Sequence, residues 1–445
     1  MYFIGIDIGT SSICGVIYNF ENKDIESITR KNNASVTSSH VWEKMQDVRI
    51  IYQIVSEIIS GFLNRYSDIK GIGFTGQMHG MLYVNSEGDA ASPLYTWQDE
   101  RANKIYKDNK TYAEYLSDIT GYPLATGYGL VTHYYNIENK IVPESTSKIC
   151  TIMDYVVMKL CGNRIPMTDY SNAASLGFFD IENLKFDTDA MNKVGIDTSI
   201  LPESAESPKL AGHYNDIPVY SAIGDNQASF LGSVQNVDNS IHIMVGTSSQ
   251  ISVYSPNYIN IKPLDTRPFP GGGFLLVGAA LCGGQSIDIL KKLFEDTVKL
   301  FSTQSDNIDY YEKITVLDYL KYSDNLPIVN TLFAGTRSES EIRGSILNIS
   351  TSNLTPENLI IAFTKGVCGE LYDFYKIIPE YITKEKKVLV GSGNGIKKNA
   401  LLRKVMEDSF QQKLILSSHQ EESAFGACKC AIIGGGYVKR YKDFG

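Results

Sequence analysis

The sequence predicts an α/β protein built from two related halves. The first observation is a repeated turn, because residues 6–12 (IDIGTSS) return as residues 243–249 (IMVGTSS) about half the chain later. In both copies an apolar strand precedes the turn and a second strand follows it. The second observation is that strand and helix patterns alternate along the chain. The third is the length of 445 residues, which exceeds one ordinary core and favours two domains.

The first half begins with a predicted hairpin around the first turn. Apolar residues at helical spacing then indicate an amphipathic helix, and short apolar runs indicate buried strands. The predicted elements are, in order, strands 2–8 and 13–18, helix 47–65, strand 70–75, the polar loop 76–80, strand 81–84, helix 152–160 and strand 217–223. After the last strand, Asp225 is expected to N-cap a further helix.

The second half again alternates predicted strands and helices. A polar, turn-prone segment at residues 235–239 precedes the second turn, so we place a domain boundary there, giving domains 1–236 and 237–445. The predicted elements are strands 241–245 and 250–254, helix 286–301, an irregular segment 303–322, helix 356–375, strand 387–390, a glycine loop 391–395, and helices 399–410 and 423–433.

Composition and charge exclude several classes of partner. A net charge of −9, with no run of basic residues, argues against nucleic acid. No apolar run approaches ~18 residues, so no membrane span is expected, and the N-terminal residues do not resemble a signal peptide. The seven scattered cysteines are expected to be reduced thiols in a cytoplasmic protein, and their spacing with the histidines does not indicate zinc.

The two turns suit phosphate binding. A Gly-Thr-Ser-Ser turn offers backbone N–H groups and hydroxyls without side-chain bulk at the glycine. The copies differ at one polar position, since Asp7 of the first corresponds to Met244 of the second. A carboxylate on one side only indicates a catalytic role or Mg²⁺ binding at nucleotide phosphates. The alternative is an aspartate that bonds its own turn.

Asp225 is the candidate general base. It lies in a Gly-Asp-Asn-Gln run between a strand and a helix. A carboxylate there can accept the proton of a hydroxyl that attacks a γ-phosphorus atom. A plain helix N-cap is the alternative.

Three further segments carry polar groups suited to ligands. In loop 76–80, Gln77 and His79 can bond hydroxyls and Met78 can pack on a carbon skeleton. Residues 97–101 (WQDER) combine an aromatic side chain with charges, which fits a sugar site and equally a surface turn anchored by tryptophan. Residues 391–395 (GSGNG) lack the Walker lysine and the G-x-G-x-x-G spacing, and offer a backbone surface for a purine.

Taken together and in order, these motifs resemble the FGGY carbohydrate kinases. The matching segments are Asp7-Ile8-Gly9-Thr10-Ser11, Gly76-Gln77-Met78-His79-Gly80, Trp97-Gln98-Asp99-Glu100-Arg101, Gly224-Asp225-Asn226, Gly246-Thr247-Ser248 and Gly391-Ser392-Gly393-Asn394. The resemblance implies two ribonuclease-H-like domains of the actin/Hsp70/sugar-kinase type with an interdomain cleft.

The resemblance also implies roles for individual residues. Asp225 is then the general base, and Asp7 helps to organise Mg²⁺ and ATP. The remaining implied contacts are Gly9, Thr10, Ser11, Gly246 and Thr247 with phosphates, Gly391, Gly393, Asn394 and Asn399 with adenosine, and Gln77, Met78, His79, Trp97, Asp99 and Asn226 with the sugar, which Asp225 also contacts.

Within the family, the Gln-Met-His-Gly motif points to ketose kinases. The segments 96–99, 172–179 and 279–284 are more similar to sedoheptulokinase than to xylulokinase, although Glu100 stands where that group usually has glycine. The expected reaction is phosphorylation of the terminal hydroxyl of sedoheptulose, with D-xylulose as the alternative substrate. An actin/Hsp70-like ATPase and a sugar-responsive regulator without turnover are alternatives of other classes. The chain is expected to act as a monomer or homodimer.

Overall fold

The computed structural model describes residues 1–301, 308–321, 325–336, 339 and 341–444. The segment 303–322, predicted to be irregular, lies partly outside these residues. Its described part contains a short helix over Tyr310–Thr315, so the prediction is wrong there. Asp309 begins this helix by accepting the backbone N–H of Glu312.

The elements alternate along the chain as predicted. The strands of the first half are β1 (Tyr2–Ile8), β2 (Ser12–Asn19), β3 (Ile25–Lys31), β4 (Ser35–Val36), β5 (Met45–Gln46), β6 (Ile69–Gly76), β7 (Leu82–Asn85), β8 (Leu94–Tyr95), β9 (Thr146–Cys150), β10 (Met167–Asp169), β11 (Phe179–Asp180), β12 (Lys185–Phe186), β13 (Glu203–Ala205), β14 (Leu210–Tyr214), β15 (Ile217–Tyr220) and β16 (Ile223–Gly224). Those of the second half are β17 (Ser240–Val245), β18 (Ser249–Ser255), β19 (Asp265–Pro268), β20 (Phe274–Ala280), β21 (Ile328–Asn330), β22 (Ser345–Leu347), β23 (Val388–Ser392) and β24 (Leu414–Leu416).

The helices lie between these strands. They are α1 (Val48–Leu63), α2 (Tyr112–Thr120), α3 (Gly129–Glu138), α4 (Ile152–Leu160), α5 (Tyr170–Leu176), α6 (Thr188–Lys193), α7 (Asp225–Ser233), α8 (Gly284–Phe301), α9 (Tyr310–Thr315), α10 (Pro356–Lys376), α11 (Glu380–Thr383), α12 (Asn394–Lys397), α13 (Ala400–Phe410) and α14 (Glu422–Gly434). The single strand predicted over 217–223 is two strands, β15 and β16, both paired with β6.

The first sheet carries the first turn. Its strands run in the order β14-β15-β6-β1-β2-β3. β1 is antiparallel to β2 and parallel to β6, and β2 is antiparallel to β3. Ile8 pairs with Gly76 at the ends of β1 and β6. The first turn and loop 76–80 therefore leave the same edge of the sheet side by side.

The second sheet repeats this arrangement. Its order is β19-β20-β18-β17-β23-β24, with β17 antiparallel to β18, β18 antiparallel to β20, and β17 parallel to β23. The second turn and residues 391–395 consequently lie at the ends of neighbouring parallel strands. The prediction of two related halves is confirmed by this shared topology.

Two helices join the halves. The C-terminal helix α14 packs on β1 and β6 of the first sheet, where Phe425 shares a core with Phe3. Helix α7 packs Phe230 against Leu275 of the second sheet, and it also packs on α14. Each half thus places a helix beside the other half's sheet. The boundary at residues 236 and 237 falls between α7 and β17 and stays a prediction.

Glycines allow α14 to approach its neighbours at backbone distance. A Cβ added at Gly5 would lie 1.9 Å from the carbonyl oxygen of Ala424. A Cβ at Gly426 would lie 1.9 Å from the carbonyl oxygen of Ala228 in α7. Because no side chain fits at either distance, the junction between the halves depends on these residues being glycine.

Within the described part of the chain, no helix combines the length and the apolar character needed to cross a membrane. All seven cysteines are free thiols, as the sequence predicts, and six of them are buried.

Candidate active site

The first turn is hydrogen-bonded to two segments that the sequence assigns to the sugar. The Thr10 hydroxyl donates to Gln77 Oε1 at 3.1 Å and accepts from the Trp97 indole N–H at 2.9 Å. The backbone N–H of Gln77 donates to the carbonyl oxygen of Ile8 at 2.9 Å. The structure therefore brings Thr10, Gln77 and Trp97 together. The Thr10 hydroxyl makes its hydrogen bonds to these two side chains of the protein.

Asp7 lies at the end of β1 among other carboxylates. Burial, followed by the negative charges of Asp225 and Glu421, raises the pKa of Asp7 to about 7. A partly buried carboxylate near two other negative charges favours a proton or a cation, because the ionised form is otherwise repelled and poorly solvated. This is the electrostatic environment that a bound cation would relieve.

Asp7 fits Mg²⁺ as a partial ligand. Among the described residues, no group of three or more His, Cys, Asp and Glu side chains is arranged to hold a metal ion. Mg²⁺ at nucleotide sites commonly uses one or two carboxylates, with water and phosphate oxygens completing its coordination. The carboxylate of Asp7 suits that role, and its assignment as a metal ligand stays a prediction.

Asp225 is the first residue of α7, and Gly224 is the N-cap. The expectation that Asp225 itself is the N-cap is wrong, because Gly224 holds the extended conformation that precedes a helix (φ −64°, ψ 147°). Burial raises the pKa of Asp225 to about 6, and the charge of Arg267 opposes this rise. A carboxylate with such a pKa is mostly ionised at neutral pH and is still basic enough to accept a proton.

Asn226 offers an unused acceptor beside Asp225. In the part of the chain that the structure describes, its buried Oδ1 has no hydrogen-bond partner. Buried acceptors are rarely left unpaired, so this oxygen suits a hydroxyl group of a ligand.

Loop 76–80 reaches the start of α7. A Cβ at Gly224 would lie 2.7 Å from Met78 Sδ, so Met78 packs directly against the residue before Asp225. His79 Nδ1 lies 3.0 Å from the carbonyl oxygen of Ser175. The imidazole of His79 stacks on Tyr128 with ring centroids 4.7 Å apart. These contacts fix the loop that was predicted to bind the sugar.

Asp99 supports the segment that carries Trp97. Its carboxylate is fully buried and accepts hydrogen bonds from Arg101 Nε at 2.7 Å and from the Lys44 backbone N–H at 3.0 Å. Arg101 also donates to Asn136 Oδ1 at 2.6 Å. Asp99 is therefore in a structural ion pair, and its contact with a sugar stays a prediction. The indole of Trp97 is 46% exposed and accessible to a ligand.

The second turn is built against the start of α8. The N–H of Gly284 donates to the carbonyl oxygen of Gly246 at 2.8 Å, and that of Gly283 donates to the carbonyl oxygen of Thr247 at 2.9 Å. Thr247 and Ser248 are exposed. The positive end of the 18-residue helix α8 therefore backs an accessible turn, which is a suitable arrangement for phosphate.

Residues 391–395 lie beside the second turn. Gly393 has a φ of 83°, and a Cβ there would lie 2.5 Å from the carbonyl oxygen of Val245. Asn394 is exposed at the start of α12. Gly391 is buried inside β23, and the buried Asn399 is the N-cap of α13, accepting the Leu402 N–H at 2.9 Å. The two buried residues have structural roles, and their contact with adenosine stays a prediction.

The structure adds four residues that the sequence analysis missed. They are Gln46, which bonds Thr10 and Gln77, Tyr128, which stacks on His79, Arg267, whose charge acts on Asp225, and Glu421, whose charge acts on Asp7. None lies in a repeated or glycine-rich motif. Only their position in space connects them to the site.

Comparisons with known proteins cover the whole chain. Residues 2–232 match the N-terminal domain of the FGGY family of carbohydrate kinases. The chain is 26% identical to sedoheptulokinase of Mus musculus, over 95% of this chain and 96% of that protein. It is 25% identical to xylulose kinase of Lactococcus lactis subsp. lactis, over 98% and 88%. The fold superimposes on ligand-bound xylulose kinase of Lactobacillus acidophilus with a TM-score of 0.82 at 20% identity, covering 100% of this chain and 91% of that one. The predicted two-domain fold is thereby confirmed.

Proposed function

The chain belongs to the FGGY family of carbohydrate kinases, and from this premise we propose that it transfers the γ-phosphoryl group of ATP to the terminal hydroxyl of a ketose. Family membership favours the kinase over the actin/Hsp70-like ATPase. The observation that carries the proposal is the start of α7, where Asp225 follows Gly224 against Met78 and acts electrostatically on Asp7.

Asp225 acts as general base in this reaction. As the substrate hydroxyl oxygen forms a bond to the γ-phosphorus, its proton passes to the Asp225 carboxylate. The bond between the γ-phosphorus and the bridging oxygen breaks, and ADP leaves with that electron pair. The pKa of about 6 supports this role, because the group is ionised before the reaction and able to hold a proton after it.

Other residues bind and orient the reactants. The second turn, with the N-terminus of α8 behind it, holds the phosphates of ATP, and Gly393 and Asn394 lie against its nucleoside. Gln77, Met78 and Trp97 hold the sugar. Asp7 would hold Mg²⁺, and the bound ion would supply positive charge to offset the charge of the phosphates.

Sedoheptulose is the proposed substrate and D-xylulose the second candidate. The similarity to sedoheptulokinase and the motif details of segments 96–99, 172–179 and 279–284 support the first. The similarity to xylulose kinase supports the second. The cytoplasmic location and the monomeric or dimeric state stay predictions.

A coupled ADP-release assay tests the proposal. Mg²⁺ and ATP are supplied with sedoheptulose, D-xylulose, D-ribulose, L-ribulose or glycerol, beside a control without sugar. We expect the highest kcat/KM with sedoheptulose. A higher kcat/KM with D-xylulose would change the proposed substrate and leave the proposed mechanism unchanged. ADP release independent of every sugar would contradict the proposed kinase activity.

The same assay tests the base. Asp225→Asn keeps the shape of the side chain and removes its basicity, so we expect kcat to fall by roughly 10²–10⁴-fold. Nucleotide binding, measured by calorimetry with Mg²⁺ and ADP, should be retained. Near-normal turnover by this variant would remove Asp225 from the mechanism.

A further inference from the structure

Gln46 completes a closed ring of hydrogen bonds under the first turn. The Thr10 hydroxyl donates to Gln77 Oε1 at 3.1 Å, Gln77 Nε2 donates to Gln46 Oε1 at 2.8 Å, and Gln46 Nε2 donates to the Thr10 carbonyl oxygen at 2.8 Å. Both amides are almost completely buried. The ring therefore fixes the side chain and the backbone of Thr10 at the same time.

The ring connects three separate pieces of the fold, and Trp97 attaches a fourth. Thr10 follows β1, Gln46 ends β5 and Gln77 follows β6. Trp97 follows β8, which pairs with β5, and its indole N–H donates to the Thr10 hydroxyl at 2.9 Å. The single hydroxyl proton of Thr10 is directed at Gln77. A change in the position of Gln77 therefore changes the hydrogen bond that holds the turn.

Gln77 is the member of the ring that is proposed to contact the sugar. A glutamine amide has two donor hydrogens, and the bond to Gln46 uses one of them. A sugar hydroxyl that accepts the second hydrogen would therefore bind the same amide group that accepts the Thr10 hydroxyl. At the other end, the backbone of the first turn is the surface predicted to meet phosphate.

We propose that Gln46 is a positioning residue that couples sugar binding to nucleotide binding through this ring. The inference rests on the proposed function, in which a ketose meets Gln77, and on the contact between the first turn and phosphates that the sequence predicts. Gln46 touches neither ligand in this assignment. It acts by fixing the position of Gln77 relative to the Thr10 backbone. Sugar binding at Gln77 then favours the backbone geometry that phosphate binding requires, and the reverse also holds.

The test compares Gln46→Met with the unchanged protein. Methionine has nearly the same length and volume and makes neither amide hydrogen bond. The dissociation constant of Mg²⁺ and AMPPNP is measured with and without the sugar that gives the highest kcat/KM. We expect the ratio of the two constants to fall by about fivefold toward one, which is the lower end of the usual coupling between two binding sites. Gln53→Met is the matched control, because Gln53 is exposed on α1 and bonds only locally to Glu57 at 2.8 Å.

Two measurements separate coupling from a loss of folding. Thermal unfolding compares the variants, and if Gln46→Met is strongly destabilised, Gln46→Glu replaces it, since glutamate still accepts from Gln77 and no longer donates to Thr10. The indole N–H resonance of Trp97 reports on the ring without sugar, and Trp42, the only other tryptophan, serves as reference. Addition of Mg²⁺ and AMPPNP should shift the Trp97 resonance in the unchanged protein more than in Gln46→Met.

An unchanged ratio in Gln46→Met and Gln46→Glu, or an equal Trp97 shift in the variant and the unchanged protein, overturns the inference. A similar fall of the ratio in Gln53→Met would also overturn the inference, because the effect would then not depend on the ring. Failure of the proposed function is distinguished from these results, since it would appear as absent sugar-dependent ADP release in the unchanged protein.

Discussion

The two Gly-Thr-Ser-Ser turns have the same sequence and different surroundings. Thr10 of the first turn is tied by its hydroxyl to Gln77 and Trp97. The corresponding Thr247 is exposed, and its backbone carbonyl is bonded by the start of α8. The first turn follows Asp7, whereas the second follows Met244. One backbone motif thus makes two different sets of contacts, which are set by the elements packed behind each copy.

The difference explains how two related halves form one asymmetric site. The second turn, open and backed by a helix N-terminus, is arranged for phosphate. The first is joined to loop 76–80, which is proposed to bind the sugar, and follows the carboxylate that suits a cation. The two turns share one backbone geometry, and the side chains packed around each turn make their surroundings different.

The largest expected effect comes from removing the carboxylate that distinguishes the first turn from the second. Asp7→Met gives the first turn the residue found in the second, and we expect kcat/KM to fall at least ~100-fold because the carboxylate proposed to hold Mg²⁺ is lost. Met244→Leu is the matched control in the second half and should retain activity. ADP-release kinetics check both, and comparable activity of Asp7→Met and Met244→Leu would contradict the role of Asp7.

The same variant should be more stable than the unchanged protein without Mg²⁺ and nucleotide. The pKa of Asp7 is raised from 3.8 to about 7, so ionisation of Asp7 costs stability, and this cost grows as the pH rises between these two values and levels off above 7. The advantage of Asp7→Met in thermal unfolding should therefore be larger at pH 8 than at pH 5. Lower stability of the variant at pH 8 would show that Asp7 is not strained by its surroundings.

The pH dependence distinguishes the two carboxylates. With saturating Mg²⁺, which favours ionised Asp7, activity should depend on Asp225, whose pKa is about 6. Since the base must be ionised, kcat/KM should fall about tenfold per pH unit below that value. A profile that stays level down to pH 4.5 would contradict the assignment of Asp225 as the base.

The junction between the halves gives a smaller expected effect. Gly426→Ala places a Cβ 1.9 Å from the carbonyl oxygen of Ala228, so the free energy of unfolding should fall by about 1–3 kcal/mol as α7 and α14 separate. Gly369→Ala is the control, because Gly369 lies within α10 with nothing within 4 Å of its added Cβ. That change should raise stability by roughly 0.5–1 kcal/mol. Chemical denaturation measures both, and equal effects would remove the special role of the junction.

The smallest expected effect compares the two threonines directly. Thr10→Val should raise the KM for the ketose about fivefold, because the hydroxyl bonded to Gln77 and Trp97 is lost. Thr247→Val should raise the KM for ATP by a similar factor and leave the KM for the ketose unchanged. If Thr10→Val raised the KM for ATP and left the KM for the ketose unchanged, the proposed difference between the two turns would be wrong.

Local sequence patterns predicted the parts of this fold that depend on neighbours in the chain. The strand over residues 2–8 and the helix over 152–160 match β1 and α4, because burial imposes a periodicity that is visible locally. Asp225 was placed at the start of a helix and misassigned by one position, since the cap is decided by the φ and ψ of Gly224. Asp99 was predicted to meet a sugar, whereas its pairing with Arg101 is evident only from its burial.

The sequence by itself determined the repeated turns, the alternation of strands and helices, and the ordered motifs that resemble one family of kinases. Only the tertiary structure decided that Gln46 joins Thr10 to Gln77, that Glu421 acts on Asp7, and that α14 lies on the sheet at the other end of the chain. The physical reason is that a motif records the conformation of consecutive residues. Hydrogen bonds, burial and charge act through space, where residues far apart in the sequence become neighbours.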